Sequence, residues 1–445
     1  MILPDYVTAC IRRLEDAGFA AYVVGGCVRD HLLGLIPADY DMCTAALPEE
    51  TEAVFSDHRL ILAGKKHGTV AVITDGGVVE ITTFRTEGDY RDNRHPEWVA
   101  FVPNIEADLA RRDFTVNAMA YSPTRGYANP FDGQADLKNK ILRAVGDPET
   151  RFREDSLRIL RGVRFAVRYG LTPEEKTLRA MTDLRHLMDN LARERVFEEL
   201  SKLLVLATAE DLLTFEPVIT AAIPTLAPCV GFQQHNPHHT HDVYGHTAQV
   251  VGAVPAEPVL RWAALFHDCG KPATFTRDEV GLGHFYGHAK ESAALADAAL
   301  RQLKAPTALR EQAVLLIEQH MTPLIADKKL LRRRLSALGP ETLHRLLILQ
   351  EADWGGKGTD AVRENGVFRE IRRVLAEIEA ENACLTLRDL AVNGHDLMAA
   401  GFSGPAIGQT LNRLLEQVLE DQLPNEKDKL LHYAINTIHH KEELI

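Results

Sequence analysis

The stretch AYVVGGCVRDHLLGLIPADYDMCT, residues 21–44, decides the fold. Four apolar residues, Ala21 to Val24, run into Gly25-Gly26, the pattern of a buried strand stopped by a turn. A helix is predicted from about Val28, with Arg29 in its first turn. Glycines there let backbone N–H groups approach phosphate oxygens, and a helix N-terminus adds a favourable dipole. Asp39 and Asp41 then flank Tyr40 in an alternating run. On a strand, residues i and i+2 share one face about 7 Å apart. Two carboxylates so placed hold divalent cations about 4 Å apart, which suits in-line displacement at phosphorus. Taken singly these signs are weak, because glycines and paired aspartates are also ordinary turn residues.

Working outward, VAVIT at 70–74 and VVEITTF at 78–84 continue the strand signals, so residues 1–134 read as an α/β head. Glu80 alternates with Val79 and Ile81 and offers a third carboxylate; a solvent-facing strand glutamate fits equally well. From residue 135 onward the pattern is helical. The proline-bearing FEPVITAAIPTLAPC, 215–229, reads as a joint, and Gly355, Gly356 and Gly358 mark a second break. The expected division is a head, a helical neck at 135–214, a helical domain at 215–360 and a helical tail at 361–445.

A chain of 445 residues exceeds one compact domain. Its N-terminus shows no basic region followed by an apolar run, and no apolar stretch is long enough for a membrane span, so a cytoplasmic protein without a membrane partner is expected. Six cysteines without a CxxC pair fit a reducing compartment. The net charge of −13 argues against indiscriminate binding of nucleic acid, but cationic charge is local. Arg151, Arg153, Arg158, Arg161, Arg164 and Arg168 crowd one segment, and Lys328, Lys329, Arg332, Arg333 and Arg334 another. Measured from Asp155 at 100° per residue, Arg158, Arg161, Arg164 and Arg168 fall on one arc and Ile159, Leu160, Val163, Ala166 and Val167 on the other. No carboxylate follows Asp155 before Glu174, so the arginine arc is expected to face a cleft and a polyanion.

GGCVRDHLLG and DYD are followed in order by RRDFTVNAMAY at 111–121, NPFDG at 129–133 and EDSLRILRGVRFA at 154–166. This succession resembles the motifs of bacterial class II tRNA nucleotidyltransferases, the CCA-adding type, and their poly(A) polymerase relatives, over roughly residues 20–200. The resemblance implies an α+β head of the DNA polymerase β-like nucleotidyltransferase type, followed by all-α neck, HD and tail domains. It implies Mg²⁺ on Asp39 and Asp41, with Glu80 beside them, and a nucleotide held by Gly25, Gly26, Arg29, Arg112, Asp113 and Asn117. Asp155 and Arg158 are implied to read the incoming base, with Arg161 and Arg164 adding charge. A carboxylate accepts and a guanidinium donates, so the pair complements the amine and ring nitrogen of cytosine or adenine. Guanine and uracil set a carbonyl against the carboxylate and are rejected. The implied partners are a tRNA 3′ end, CTP and ATP, with no protein partner. The polar loop GDYRDNRHP at 88–96 is full length, which favours completion of CCA over partial addition. A poly(A) polymerase or a partial adder is the nearest alternative.

In the helical domain, LRWAALFHDCGK at 260–271 carries His267-Asp268 at the end of an apolar helix. Histidine with aspartate suits divalent metals. The ordered set His246, His267, Asp268 and Asp353, with His288 and His320 as further candidates, resembles the HD-superfamily phosphohydrolases. That resemblance implies one or two divalent ions, with Mn, Mg, Ni, Co and Fe all open, acting on a phosphoester. It also leaves a rival of another class, an HD phosphohydrolase whose head only binds RNA. His235, His238, His239 and His241 read as a polar loop.

Overall fold

The computed structural model describes residues 1–88, 99–236, 240–357, 361–381 and 383–439. The loop at 88–96 and the pair His238 and His239 therefore lie almost wholly outside the described residues.

Helix α1 (Asp5–Asp16) buries Val7, Cys10, Ile11 and Leu14, spaced at three and four residues. Strand β1 (Ala21–Val24) is buried throughout, and Gly25, at φ 74°, turns the chain into α2 (Gly26–Leu32). The helix starts two residues earlier than Val28. Strand β2 (Met42–Thr44) follows, then α3 (Pro48–Val54), β3 (Arg59–Ile61), β4 (Thr69–Thr74) and β5 (Gly77–Thr83). A hairpin of β6 (Arg85–Glu87) and β7 (Val99–Phe101) leads to α4 (Ile105–Ala110), and β8 (Ala120–Ser122) and β9 (Gly126–Ala128) complete the head. Seven strands form one sheet in the order β3-β4-β5-β2-β1-β8-β9. Only the β2–β5 pair at its centre is parallel. Tyr22, Val24, Cys43 and Phe84 of this sheet pack with Ile105 and Leu109 in a core cluster.

Asp39 and Asp41 do not lie on the strand but immediately before it, since β2 begins at Met42. The backbone at Asp41 is nevertheless tied to the sheet, because its carbonyl accepts from the Val24 N–H at 2.9 Å.

The rest is mostly helical, as expected, with two pairs of two-residue strands, Ile141–Leu142 with Thr172–Pro173 and Thr276–Arg277 with Gly283–His284. Helix α5 (Gly133–Lys138) is followed by α6 (Pro148–Glu154), α7 (Leu157–Tyr169), α8 (Glu175–Asp183) and α9 (Arg193–Leu204). The single helix read through Asp155 is two: Asp155, at φ −139°, is extended between α6 and α7. The chain folds into two compact units, Met1–Ala227 with Ala299–Ala305, and Pro228–Ala298 with Pro306–Ile445. The boundary falls within the three-proline stretch, later than the 214/215 border read from sequence. Head and neck both lie in the first unit, the tail and most of the helical domain in the second. Among the described residues no helix is long and apolar enough to cross a membrane.

Candidate functional site

The head site is built where β1, β2 and β5 end side by side. The parallel register pairs Met42 with Ile81, so one residue earlier Asp41 comes beside Glu80. In β5, Val79 and Ile81 are buried and Glu80 is exposed, which puts the carboxylate on the opposite face from the core. The Asp41 carboxyl is raised from its ordinary range, first by the protein packed around it and then by the negative charges of Asp39 and Glu80; Arg112 acts the other way. Three carboxylates brought to one corner, one of them crowded by the charges of the other two, make an oxygen donor set that fits a divalent ion. Gly25 closes this corner: a Cβ there would stand 3.0 Å from the Arg112 guanidinium, and its positive φ disfavours any side chain. Arg112 is steered by Asp108, buried in α4, at 3.2 Å.

The remaining nucleotide candidates form one buried network. Arg29 donates to Asp30 through Nε at 2.9 Å and Nη2 at 2.7 Å, to Asn117 Oδ1 at 2.5 Å and to the Tyr169 hydroxyl at 2.5 Å. Asn117 donates onward to Asp113 Oδ1 at 3.1 Å, and Asp113 Oδ2 accepts from Arg161 Nε at 2.9 Å and Nη2 at 2.7 Å. Burial pushes the Asp113 carboxyl upward, but the Arg161 guanidinium, aided by Asn117, outweighs it and brings it down to about 2.

The structure corrects the reading of the arginine helix. Carboxylates absent from α7 itself arrive from elsewhere: Glu154 meets Arg158 at 2.8 Å, Asp113 meets Arg161, and Glu199 of α9 meets Arg164 at 2.5 Å. Arg158 and Arg164 are buried rather than facing a cleft. The base-reading pair is not joined either. The Asp155 carboxylate accepts from the Leu157 N–H at 3.0 Å and from Arg195 at 3.4 Å, while Arg158 turns to Glu154 and to the carbonyls of Arg151 and Arg111. Four members of the second basic cluster are likewise paired: Lys328 with Glu381, Lys329 and Arg333 with Glu420, and Arg332 with Asp421.

In the second unit the sequence set closes into a buried cluster. His246, His267, Asp268 and Asp353 bring one ligand atom each within 4.8 Å of one another, and Asp268, His288 and His320 do the same. Asp268 belongs to both: Oδ2 lies 3.4 Å from His246 Nε2 and 3.2 Å from His267 Nε2, and Oδ1 lies 3.3 Å from His288 Nε2. Each histidine points Nδ1 at a backbone carbonyl: Gly356 at 3.1 Å, Ala264 at 2.8 Å, Phe285 at 2.8 Å and Ile317 at 2.6 Å for His246, His267, His288 and His320. That partner assigns the proton to Nδ1 and turns the Nε2 lone pair inward. His246 and His267 then face each other at 3.3 Å, Nε2 to Nε2, a pair of lone pairs that a shared proton or a metal ion relieves. Burial opposes charge on His267, yet Asp268 and Asp353 pull it up to about 10. The donor set therefore fits one or two divalent ions. Lys271, 2.7 Å from Asp268, and Lys357, 3.2 Å from Asp353, were not read from sequence as part of this site.

The head's sheet, glycine turn and carboxylate corner define a nucleotidyltransferase. Residues 21–143 match the family described as the poly A polymerase head domain. Residues 170–215 match the probable RNA and SrmB-binding site of polymerase A, and 288–434 a putative tRNA nucleotidyltransferase domain 2. The chain is 33% identical over 433 residues to a CCA-adding enzyme of Limosilactobacillus fermentum, covering 95% of this chain and 94% of that one. It is 32% identical over 437 residues to that of Geobacillus kaustophilus, covering 97% of each. The crystal structure of the Bacillus stearothermophilus CCA-adding enzyme in complex with CTP covers 100% of both chains at a TM-score of 0.72 and 28% identity. The chain belongs to the family of CCA-adding enzymes.

Proposed function

We propose that this enzyme adds CCA to the 3′ end of tRNA from CTP and ATP, with Asp39, Asp41 and Glu80 as the catalytic carboxylates and Mg²⁺ as the head metal. The observation that carries the reading is the gathering of Asp39 and Glu80 around Asp41 beside the Gly25–Arg112 corner. When bound, a divalent ion here activates the attacking 3′-hydroxyl and steadies the departing pyrophosphate. Gly25 and Gly26 leave room for the triphosphate, Arg112 supplies positive charge next to it, and Asn117 and Asp113 support the sugar. For the base, Asp155 and Arg158 must leave their present partners and meet across the nucleotide; Glu154 then holds Arg158 in reserve until the substrate arrives. The relatives' CCA-adding activity and the CTP bound to the neighbouring structure support this assignment.

Incubating tRNA that ends at the discriminator base with CTP, ATP, UTP and GTP, singly and together, tests it. CCA from CTP and ATP alone is expected. A long A tail, or CC without A, replaces it with the poly(A) polymerase or partial-adder reading.

A second reading is favoured by the histidine cluster. Its four inward Nε2 atoms and shared Asp268 suit an HD-type phosphohydrolase centre, in which a bound divalent ion supplies an activated water for a phosphoester. The full protein should carry metal at up to two equivalents by plasma emission, and His267→Ala should lose it. Asp39→Ala with Asp41→Ala should abolish incorporation and leave phosphatase activity intact. Metal content unchanged in the His267 variant removes the second reading.

A further inference from the structure

Two of the contacts that helix α7 makes with the head lie eight residues apart. Arg161 clasps Asp113, and Tyr169, at the helix end, holds Arg29 from α2. Between them Phe165 stacks on Tyr169 at 6.1 Å and 26°. The Arg29 guanidinium lies 4.2 Å from the Tyr169 ring centre and 5.4 Å from that of Phe165, while Arg161 covers Phe165 at 5.2 Å. Arg161, Phe165 and Tyr169 recur at intervals of four and so make one ladder along the helix.

A guanidinium has five N–H donors. In Arg29, Nε gives its proton to Asp30, Nη2 gives to Asp30 and to Tyr169, and one Nη1 proton goes to Asn117. One Nη1 N–H remains, on a group that cannot rotate without breaking three partnerships. Nη2 lies 3.6 Å from where a Gly26 side chain would begin, so the guanidinium sits directly behind the glycine turn. Nothing about Tyr169 follows from the carboxylates, the turn or the base-reading residues, yet it is the neck's own hand on this arginine.

We propose that Tyr169 is a positioning residue for the incoming nucleotide: it fixes the Arg29 guanidinium behind the Gly25-Gly26 turn and thereby ties the helix that follows the base-reading segment to the corner that receives the triphosphate. The inference rests on the head reading given above. Its hydroxyl supplies the acceptor that orients Nη2, and its ring supplies a face over which the cation is held. The two contributions are separable. Tyr169→Phe keeps the ring and loses the acceptor; Tyr169→Leu loses both.

The experiment is calorimetric titration of CTP and of ATP into the full-length protein without tRNA, together with steady-state KM for each nucleotide and for tRNA, and thermal midpoints. Tyr169→Phe is expected to weaken both nucleotides by about three- to tenfold, and Tyr169→Leu by tenfold or more, from the loss of a hydrogen bond to a charged group and then of its stacking face. KM for tRNA and the thermal midpoint of Tyr169→Phe should match the parent. A parent that binds CTP and a Tyr169→Phe protein that binds it equally well overturn this inference alone. A fall in tRNA and nucleotide affinity together with the thermal midpoint also overturns it, since that is the mark of a merely structural tyrosine. A parent that binds no CTP overturns the head reading and this inference with it.

Discussion

At Asp41, just before a strand, negative charge is made costly first by the protein packed around it and then by its neighbours Asp39 and Glu80. An acid whose carboxyl is raised in the folded state destabilises the fold above that raised value and contributes nothing once protonated. Asp41→Asn should therefore raise the thermal midpoint of the metal-free protein at neutral pH, and the gain should shrink as pH falls toward about 4. A differential scan in EDTA at the two pH values reads this, and a loss of stability at neutral pH would contradict the carboxylate crowding. Asp113 has the opposite sign. Depressed to about 2 by Arg161, it contributes stability that is full above the ordinary carboxylate value and drains away as pH falls toward 2. Asp113→Asn should cost about 1–3 kcal/mol at neutral pH, moderated because Arg161 is partly exposed, with the deficit narrowing in acid. Urea midpoints along a pH series give the comparison. Both carboxylates were legible as site candidates in the sequence. Which of them would be crowded and which paired was not, because that depends on neighbours contributed by separate segments.

At the scale of the element, α7 was legible as an amphipathic helix, but the partners of its arginines were hidden. Glu154, Asp113 and Glu199 come from three different segments. Gly162 shows the same limit. In the middle of a helix, alanine is favoured over glycine by about 1 kcal/mol. Here a Cβ would stand 2.9 Å from the Phe114 ring and 3.2 Å from Met181, inside a packed core. Overpacking costs about 1–3 kcal/mol, so Gly162→Ala should destabilise despite its better propensity. A denaturant midpoint above that of the parent would show that the core yields more easily than this packing implies. The glycine was visible in the sequence as an ordinary helix-interior residue; the aromatic ring that excludes a methyl group was not.

On the scale of the whole molecule, each of the two compact units carries one candidate cation site, and the two differ in character. The histidine cluster is buried, whereas Asp39, Asp41 and Glu80 are open to solvent. A ligand that binds only the folded state stabilises it in proportion to the logarithm of its concentration over Kd. Divalent ions tightly held by six buried residues should thus resist dilution and brief dialysis, and exhaustive chelation should lower the unfolding temperature of the second unit. Two of the three tryptophans, Trp262 and Trp354, lie in that unit, so tryptophan fluorescence during a melt, with Trp98→Phe to silence the first unit, follows it. His267→Ala should abolish the chelator-dependent shift, while Asp39→Ala should retain it. Identical melts with and without chelator in the parent would argue against a resident metal there.

The sequence alone determined the order of the motifs, the change from strand to helix near residue 135, and the identity of the six potential ligands in the second unit, because periodicity and residue chemistry are local properties. Only the tertiary structure decided that the side chains of Asp155 and Arg158 take other partners, that most of both basic clusters is matched by acids, and that Tyr169 grips Arg29. The reason is physical: charge compensation acts through space over a few ångströms, and residues that meet at that distance here are separated along the chain by as many as 140 positions.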